Sequence, residues 1–472
     1  MKKHRRSMPS SIRNSWMTFR RHLVWKSCVK WSVLALVCLV ALRTLVHVSN
    51  AHHGRREYGA YTLYNPSDSE PREMGGKSRE TVVILVMPSP PTVSGPLTRI
   101  DRLKAISETW GGDFLRDAGY NEGINHYSKS RLVFVMEESD PAAAQATELW
   151  AVEDTLEPVG TKLDNAAPPP SRHRPLDTKH STPAKGAAGN VILMVPIEVS
   201  QGGTDGDARM RYVFTKVARL YNPGFVFLCN EHTFVITENL QCFIEKLDAS
   251  QPLYVGNRFH KEPLEANLAF NSGAAGFILS RASLALLLAA WGQEDPHHLG
   301  LLNGDRNVQG VDGPEAVGTT SVQPECMAKS RFERDNPGLT LARCLKMHGV
   351  GAEDTTDNLG GQRFNAYGPA RLAQGKIDQW YKDVHASPAE KWIAGPGCCS
   401  KDTISFHYVG PAEARAMHQI LHNPERYATS GYHEAYRLWP STRKDLGGYA
   451  VAPVEGDETF GLLLRKIRLC ES

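Results

Sequence analysis

Short runs of consecutive apolar residues, separated by stretches with helical spacing, set the architecture of this chain. Thr81 to Met87, "TVVILVM", is a near-continuous β-branched run. It predicts a strand buried on both faces, as in a parallel sheet. Leu103, Ile106 and Trp110 follow at helical spacing, and Arg131 to Met136, "RLVFVM", reads as a second buried strand. Strand, helix, strand is a βαβ signal and implies an α/β fold. Regularity resumes at "VILMVPIEV", residues 191–199. Met210, Val213, Phe214, Val217, Leu220 and Tyr221 then share one helical face, which Asn222-Pro223-Gly224 ends. Phe225 to Leu228 predict another core strand. Leu240, Phe243, Ile244 and Leu247 mark a further helix, with Thr237 as its expected N-cap.

The breaks in this pattern predict insertions. Residues 139–190 include "NAAPPPSRHRP" and "STPAKGAAGN", rich in Pro and Ala, and read as an inserted loop. A Gly/Asn/Gln-rich stretch at about 300–325 reads as another. Residues 426–472 read as a C-terminal extension to a main domain spanning 79–425.

The amino-terminal region differs in charge and hydropathy. Residues 1–50 hold ten of the 54 Lys and Arg and none of the 51 Asp and Glu, so the remainder carries a net −7. The body therefore gives no nucleic-acid signal. A basic tail, 1–30, precedes an apolar run from Trp31 to Leu42, which continues past Arg43 to Val48. Twelve uninterrupted apolar or small residues are short against the roughly 20 of a membrane helix. Ser49-Asn50-Ala51 would suit a signal-peptide cleavage site, but the long basic leader favours a single uncleaved membrane anchor at 31–48 with a stem at 49–78. The expected orientation is type II, with the body in the lumen. Cys229, Cys242, Cys326, Cys344, Cys398, Cys399 and Cys470 lie beyond the anchor. The odd number leaves at least one without an intramolecular partner.

The candidate chemistry lies at the end of the Phe225–Leu228 run. In open α/β sheets, ligands gather beyond the carboxyl ends of strands. Asn230-Glu231-His232 stands there. Glu231 and His232 are metal-capable, and Asn230 both donates and accepts hydrogen bonds. An ordinary polar turn explains the same three residues. Cys229 beside them reads as a small buried hydrophobe rather than a thiolate ligand.

Residues 211–259, "RYVFTKVARLYNPGFVFLCNEHTFVITENLQCFIEKLDASQPLYVGNRF", resemble the central segment of the core 1 β1,3-galactosyltransferase family. The resemblance continues in "FNSGAAGFILS" (270–280), "LARCLKMHGVGAEDTTDNLGGQRFNAYGP" (341–369) and "GPGCCSKDTISFHYV" (395–409). It implies a GT-A-like nucleotide-sugar-binding domain with a mixed, mostly parallel sheet. It implies inverting transfer of galactose from UDP-galactose, in β1,3 linkage, to O-linked N-acetylgalactosamine on a glycoprotein acceptor. The membrane of the Golgi or endoplasmic reticulum would be the location, and a homo- or hetero-dimer is compatible. Mn²⁺ is the implied cofactor, held by Glu231, His232 and His407 as a Lewis acid for the leaving diphosphate. Asn230, Arg258, Ser272, Gly273 and Gly276 fall on donor- and substrate-binding positions. The resemblance also implies a Cys326–Cys344 disulfide and adjacent cysteines, Cys398 and Cys399, able to bridge to each other.

Two departures bear on catalysis. The family's three aspartates fall on Asn230, Glu231 and His232. Its acidic pair before the Arg-Cys step falls on Pro337 and Gly338, neither of which can take a proton. Glu333 and Asp335, just upstream, are the substitutes for a general base, although solvated charges explain them as well. A non-catalytic, chaperone-like relative that helps a partner transferase fold is therefore the alternative to an enzyme. A lectin-like sugar-binding protein is a third.

Overall fold

The computed structural model describes residues 80–89, 96–117, 130–152, 190–200, 206–260, 268–292, 326–327, 337–379, 381–382, 393, 395–424 and 459–470. All of them fall in one unit, 76–472. The strands are β1 (Val82–Val86), β2 (Arg131–Glu137), β3 (Ala151–Val152), β4 (Asn190–Val195), β5 (Phe225–Cys229), β6 (Phe234–Val235), β7 (Tyr254–Gly256), β8 (Arg258–His260), β9 (Ala269–Asn271), β10 (Phe277–Ser280), β11 (Phe364–Asn365) and β12 (Ser405–Phe406). The helices are α1 (Pro96–Glu108), α2 (Trp110–Asp117), α3 (Ala143–Leu149), α4 (Ile197–Ser200), α5 (Gly206–Tyr221), α6 (Thr237–Ile244), α7 (Arg281–Ala290), α8 (Pro337–Met347), α9 (Pro369–Ala373), α10 (Pro411–His422) and α11 (Thr459–Lys466).

Seven strands form the main sheet in the order β3-β4-β2-β1-β5-β10-β7. β3, β4, β2, β1 and β5 run parallel, and β10 opposes both β5 and β7. This mixed, mostly parallel sheet fits a GT-A-like fold. Both faces are covered, which is why the strands read as continuous apolar runs. Ile84, Val86, Phe227 and Cys229 enter one core, while Val83, Leu85, Val226 and Leu228 enter the other.

The register fixes one edge of the sheet. Val86 stands beside Cys229, so β1 and β5 end together. Phe277, the first residue of antiparallel β10, pairs with Leu228, so the loop before β10 reaches the same edge. A small sheet, β11-β12-β6, lies next to it in sequence logic: β6 begins four residues after Asn230, and β12 pairs antiparallel with β6. That pairing delivers the residue after β12, His407, to the end of β5.

The single membrane anchor expected ahead of this domain is corrected. Among the described residues no helix is long and apolar enough to cross a membrane. The expected anchor, tail and stem lie outside the described residues, as does the expected insertion at 300–325. The 139–190 insertion is also partly regular. Its first residues form α3 and β3, and β3 is an edge strand of the main sheet. Ile236, not Thr237, caps α6, and Thr237 is the first helical residue. The last segment is not a separate appendage, because Phe460, Leu463, Leu464 and Ile467 of the α11 region enter the main core. A disulfide joins Cys470 to Cys242 on α6.

Candidate functional site

Asn230 leaves the sheet at the carboxyl end of β5 and folds back on its own backbone. Its Oδ1 accepts the His232 N–H at 2.9 Å, an Asx-type turn. Thr233 Oγ1 lies 3.0 Å from the same Oδ1 and 2.9 Å from the Ala274 carbonyl oxygen. One hydroxyl thus ties the corner to the loop before β10. With Oδ1 committed, Nδ2 faces His407 Nε2 at 3.1 Å. Nδ2 only donates, so His407 Nε2 accepts and the neutral ring carries its proton on Nδ1. The His407 N–H is held by the Asn365 carbonyl at 2.9 Å, and the Val409 N–H by the His232 carbonyl at 2.9 Å.

Glu231 is buried and held from β1. Its Oε2 accepts from Ser89 N at 2.8 Å and Ser89 Oγ at 3.3 Å, while Oε1 lies 3.5 Å from His232 Nε2. Arg99, on α1, donates to the Ser89 carbonyl at 2.5 Å and to Asp140. Asp140, Arg99, Ser89 and Glu231 therefore form one relay of contacts reaching the corner. Arg99 and Arg102 are both buried. Burial, and then the charges of Arg102 and Arg99, hold the His232 imidazole down to about 3. Burial, and then His232, hold His407 at about 3 as well. Both rings are neutral at physiological pH.

The chemistry of Glu231, His232 and His407 suits a divalent metal, and Glu231 Oε1 and His232 Nδ1 are buried without a hydrogen-bond partner. Their geometry does not. The three side chains do not bring their ligand atoms within 4.8 Å of one another. The His232 and His407 rings stand 6.1 Å apart, His407 Nε2 is taken by Asn230, and two arginines add positive charge. This corner does not fit a three-ligand cation site. Cys229 is no ligand either. Burial, with the charge of Glu231 behind it, pushes its thiol up, so it stays protonated.

The other expected residues divide. Ser272 and Gly273 reach the corner's edge: the Ser272 N–H donates to the Asn257 carbonyl at 2.9 Å, and Gly273 lies against Leu228. Gly276 has a structural reason to be glycine. Its φ is +86°, and a Cβ there would stand 2.5 Å from the Phe227 ring. Arg258 pairs with Asn271 across β8 and β9, and its guanidinium lies 3.6 Å from Asp354. Glu333 and Asp335 lie outside the described residues. Pro337 and Gly338 open α8, and a Cβ on Gly338 would sit 3.8 Å from the Asn271 carbonyl. The absence of carboxylates at these two positions thus falls close to Ser272.

Cys326 and Cys344 form a disulfide. Cys398 and Cys399 do not bridge; both are free thiols, a correction to the adjacent-cysteine expectation. Cys399 Sγ instead points to Asn365 Oδ1 at 3.3 Å.

No family model matches the chain. Over 222 residues it is 25% identical to glycoprotein-N-acetylgalactosamine 3-beta-galactosyltransferase 1 of Xenopus laevis. The match supports a distant, galactosyltransferase-like relationship. The match covers 46% of this chain and 50% of the relative, so about half of that protein's length is spanned.

Sequence reasoning passed over Ser89, Arg99, Arg102 and Glu353. Ser89 had a signal: it lies just past β1, whose carboxyl end opens on the same edge as β5, whereas Arg99 and Arg102 stand on α1. Glu353 runs beside Val255, outside β7, with its N–H donated to the Tyr254 carbonyl at 2.9 Å. Burial pushes its carboxyl up to about 7, against the opposing pull of Arg258.

Proposed function

We propose that this chain is a nucleotide-sugar-dependent glycosyltransferase. In its finer form, the proposal is transfer of galactose from UDP-galactose, in β1,3 linkage and with inversion, to O-linked N-acetylgalactosamine on glycoproteins. The observation that carries it is the Asn230–His232 corner, built at the carboxyl end of a central parallel strand and closed by His407. The similarity to a galactosyltransferase supports the same reading.

In such a transfer the acceptor oxygen attacks the sugar's anomeric carbon. The carbon–oxygen bond to UDP breaks, its electron pair leaves on the diphosphate, and a carboxylate takes the acceptor proton. Glu353 is our choice for that carboxylate. β7 runs in the same direction as β5, two strands along, or roughly 10 Å at ordinary strand spacing. Glu353 pairs with Val255 on the side of β7 away from β10, a third spacing along and so roughly 14 Å from β5 at the level of Phe227, and burial poises its carboxyl near neutrality. No step is assigned to Mn²⁺, because the three expected ligands do not converge. Disulfides Cys242–Cys470 and Cys326–Cys344 support a secretory lumen, Golgi or endoplasmic reticulum, as the place of action.

The start of α8 favours a second reading. Pro337 and Gly338 leave that position without an acid, which suits a non-catalytic relative that assists a partner transferase. The purified chain, given UDP-galactose and an N-acetylgalactosamine-peptide with and without Mn²⁺, decides between them. Transfer in either arm supports the enzyme. Absence of both transfer and UDP binding, with rescue of a partner transferase's folding, supports the second reading.

A further inference from the structure

Four metal-capable side chains from three helices meet outside the corner. Asp113 comes from α2, Glu238 from α6, and His418 and His422 from successive turns of α10. His418 Nε2 lies 2.5 Å from Asp113 Oδ2. His422 Nε2 lies 3.6 Å from that same oxygen and 2.7 Å from Glu238 Oε1. Among the described residues, Asp113, His418 and His422 are the group whose ligand atoms all lie within 4.8 Å of one another, and Glu238, which reaches His422, stands outside that group as the fourth side chain that must swing in.

We infer that Asp113, Glu238, His418 and His422 form a structural divalent-metal site, with Zn²⁺ the best match. Two imidazoles and two carboxylates are a four-ligand set that Zn²⁺ accepts, and the two carboxylates balance its charge. His residues at i and i+4 of a helix present their rings to one side, and these two are 4.4 Å apart between centroids. The orientation of His422 is already that of a ligand. Its Nδ1 stands 2.9 Å from the His418 carbonyl oxygen. An N–H donated there leaves Nε2 facing the carboxylates, the outer contact that metal-bound histidines use. Asp113 Oδ1 is likewise held, by Arg116 at 2.8 Å, leaving Oδ2 for the metal. Ligand bonds of roughly 2.0–2.1 Å place tetrahedral donors about 3.3 Å apart. The two short contacts must therefore open by a few tenths of an ångström to nearly one. Rotation of His418, His422 and Glu238, all partly exposed, opens both contacts and brings Glu238 towards Asp113 and His418.

The location gives the site a purpose. α6 begins at Thr237, shortly after the corner, and α10 begins at Pro411, shortly after His407. A metal held between them clamps the two helices that follow the corner's two halves. The inference does not depend on what the corner does.

Metal-stripped full-length protein titrated with Zn²⁺ tests it. One equivalent is expected to bind and raise Tm, and Co²⁺ in its place is expected to give the visible absorption of a four-coordinate site. The His418→Gln/His422→Gln pair is expected to lose binding by 100-fold or more, and Glu238→Gln to weaken it roughly tenfold. Cys398→Ser/Cys399→Ser is expected to bind as the wild type does. Equal binding by wild type and Glu238→Gln, binding lost with the cysteines, or no Zn²⁺ binding overturns the site and leaves a hydrogen-bonded ion-pair cluster. Glu238→Gln decides the matter if the histidine pair fails to fold.

Discussion

Asn230 and His407 are 177 residues apart in sequence, yet Asn230 Nδ2 lies 3.1 Å from His407 Nε2. The amide occupies one nitrogen of the imidazole that the family resemblance assigns to a metal. Asn230→Asp replaces the donor with an oxygen, leaving two acceptors face to face beside Glu231. A cation between them relieves that clash, and ligand charge tunes affinity. Asn230→Asp is expected to raise Mn²⁺ affinity roughly tenfold or more over wild type. Electron paramagnetic resonance of free Mn²⁺ measures it, and equal titration curves for the two proteins refute it.

The two buried imidazoles make the fold acid-sensitive. His232 and His407 are held at about 3, against an ordinary value of 6.5. Below 6.5 the unfolded chain takes protons that the folded chain refuses. Their contribution is present above 6.5 and is lost as pH falls towards 3. At pH 5 the loss is about 2 kcal/mol for each ring. Urea unfolding at pH 7 and pH 5 should show it. His407→Asn should shrink the difference between the two pH values by about one ring's share; an unchanged difference contradicts the assignment.

Glu413 predicts the opposite trend. Its side chain is 4% exposed, Oε2 accepts from Gly410 N at 3.4 Å, and burial pushes the carboxyl up to about 8 from 4.5. Above 4.5 the unfolded chain releases a proton that the folded chain keeps, so stability drains as pH rises to about 8. Glu413→Gln keeps an acceptor for Gly410 and removes the titration. It is expected to stabilise the protein by about 4 kcal/mol at pH 8 and by little at pH 4.5. Thermal melts at the two pH values compare them.

Glu353 carries the proposed base role. If transfer is observed, Glu353→Gln should lower kcat by roughly 100-fold or more with little change in KM. The wild-type rate should also fall on the acid side of about 7, where the carboxyl gains its proton. A variant that retains wild-type kcat would remove Glu353 from the scheme and return attention to Glu333 and Asp335.

Much of the sheet was legible in the chain. "TVVILVM", "RLVFVM" and "FVFLC" are strands because burial on both faces demands unbroken apolar runs, and they are found as β1, β2 and β5. Asn222-Pro223-Gly224 ends α5 as expected, with Asn222 at φ 41°. The corner's place at the end of β5 followed from the same pattern. What did not follow was its wiring. The role of Ser89 and Arg99 behind Glu231 was missed because both lie past β1, and only the β1–β5 register brings them to the carboxylate.

Local periodicity thus settled which segments are strands and helices, because each segment's own apolar spacing records the face it must bury. It also settled that Pro337 and Gly338 lack a proton-accepting group, since that is a property of residue type alone. Tertiary structure decided the rest. The β6–β12 pairing brings His407 to Asn230, the amide's orientation sets the imidazole tautomer, and Cys470 rather than a nearby cysteine joins Cys242. Contacts across 177 and 228 residues leave no periodic trace in the chain. They exist because two buried surfaces fit, and a fit between surfaces is written only in the folded state.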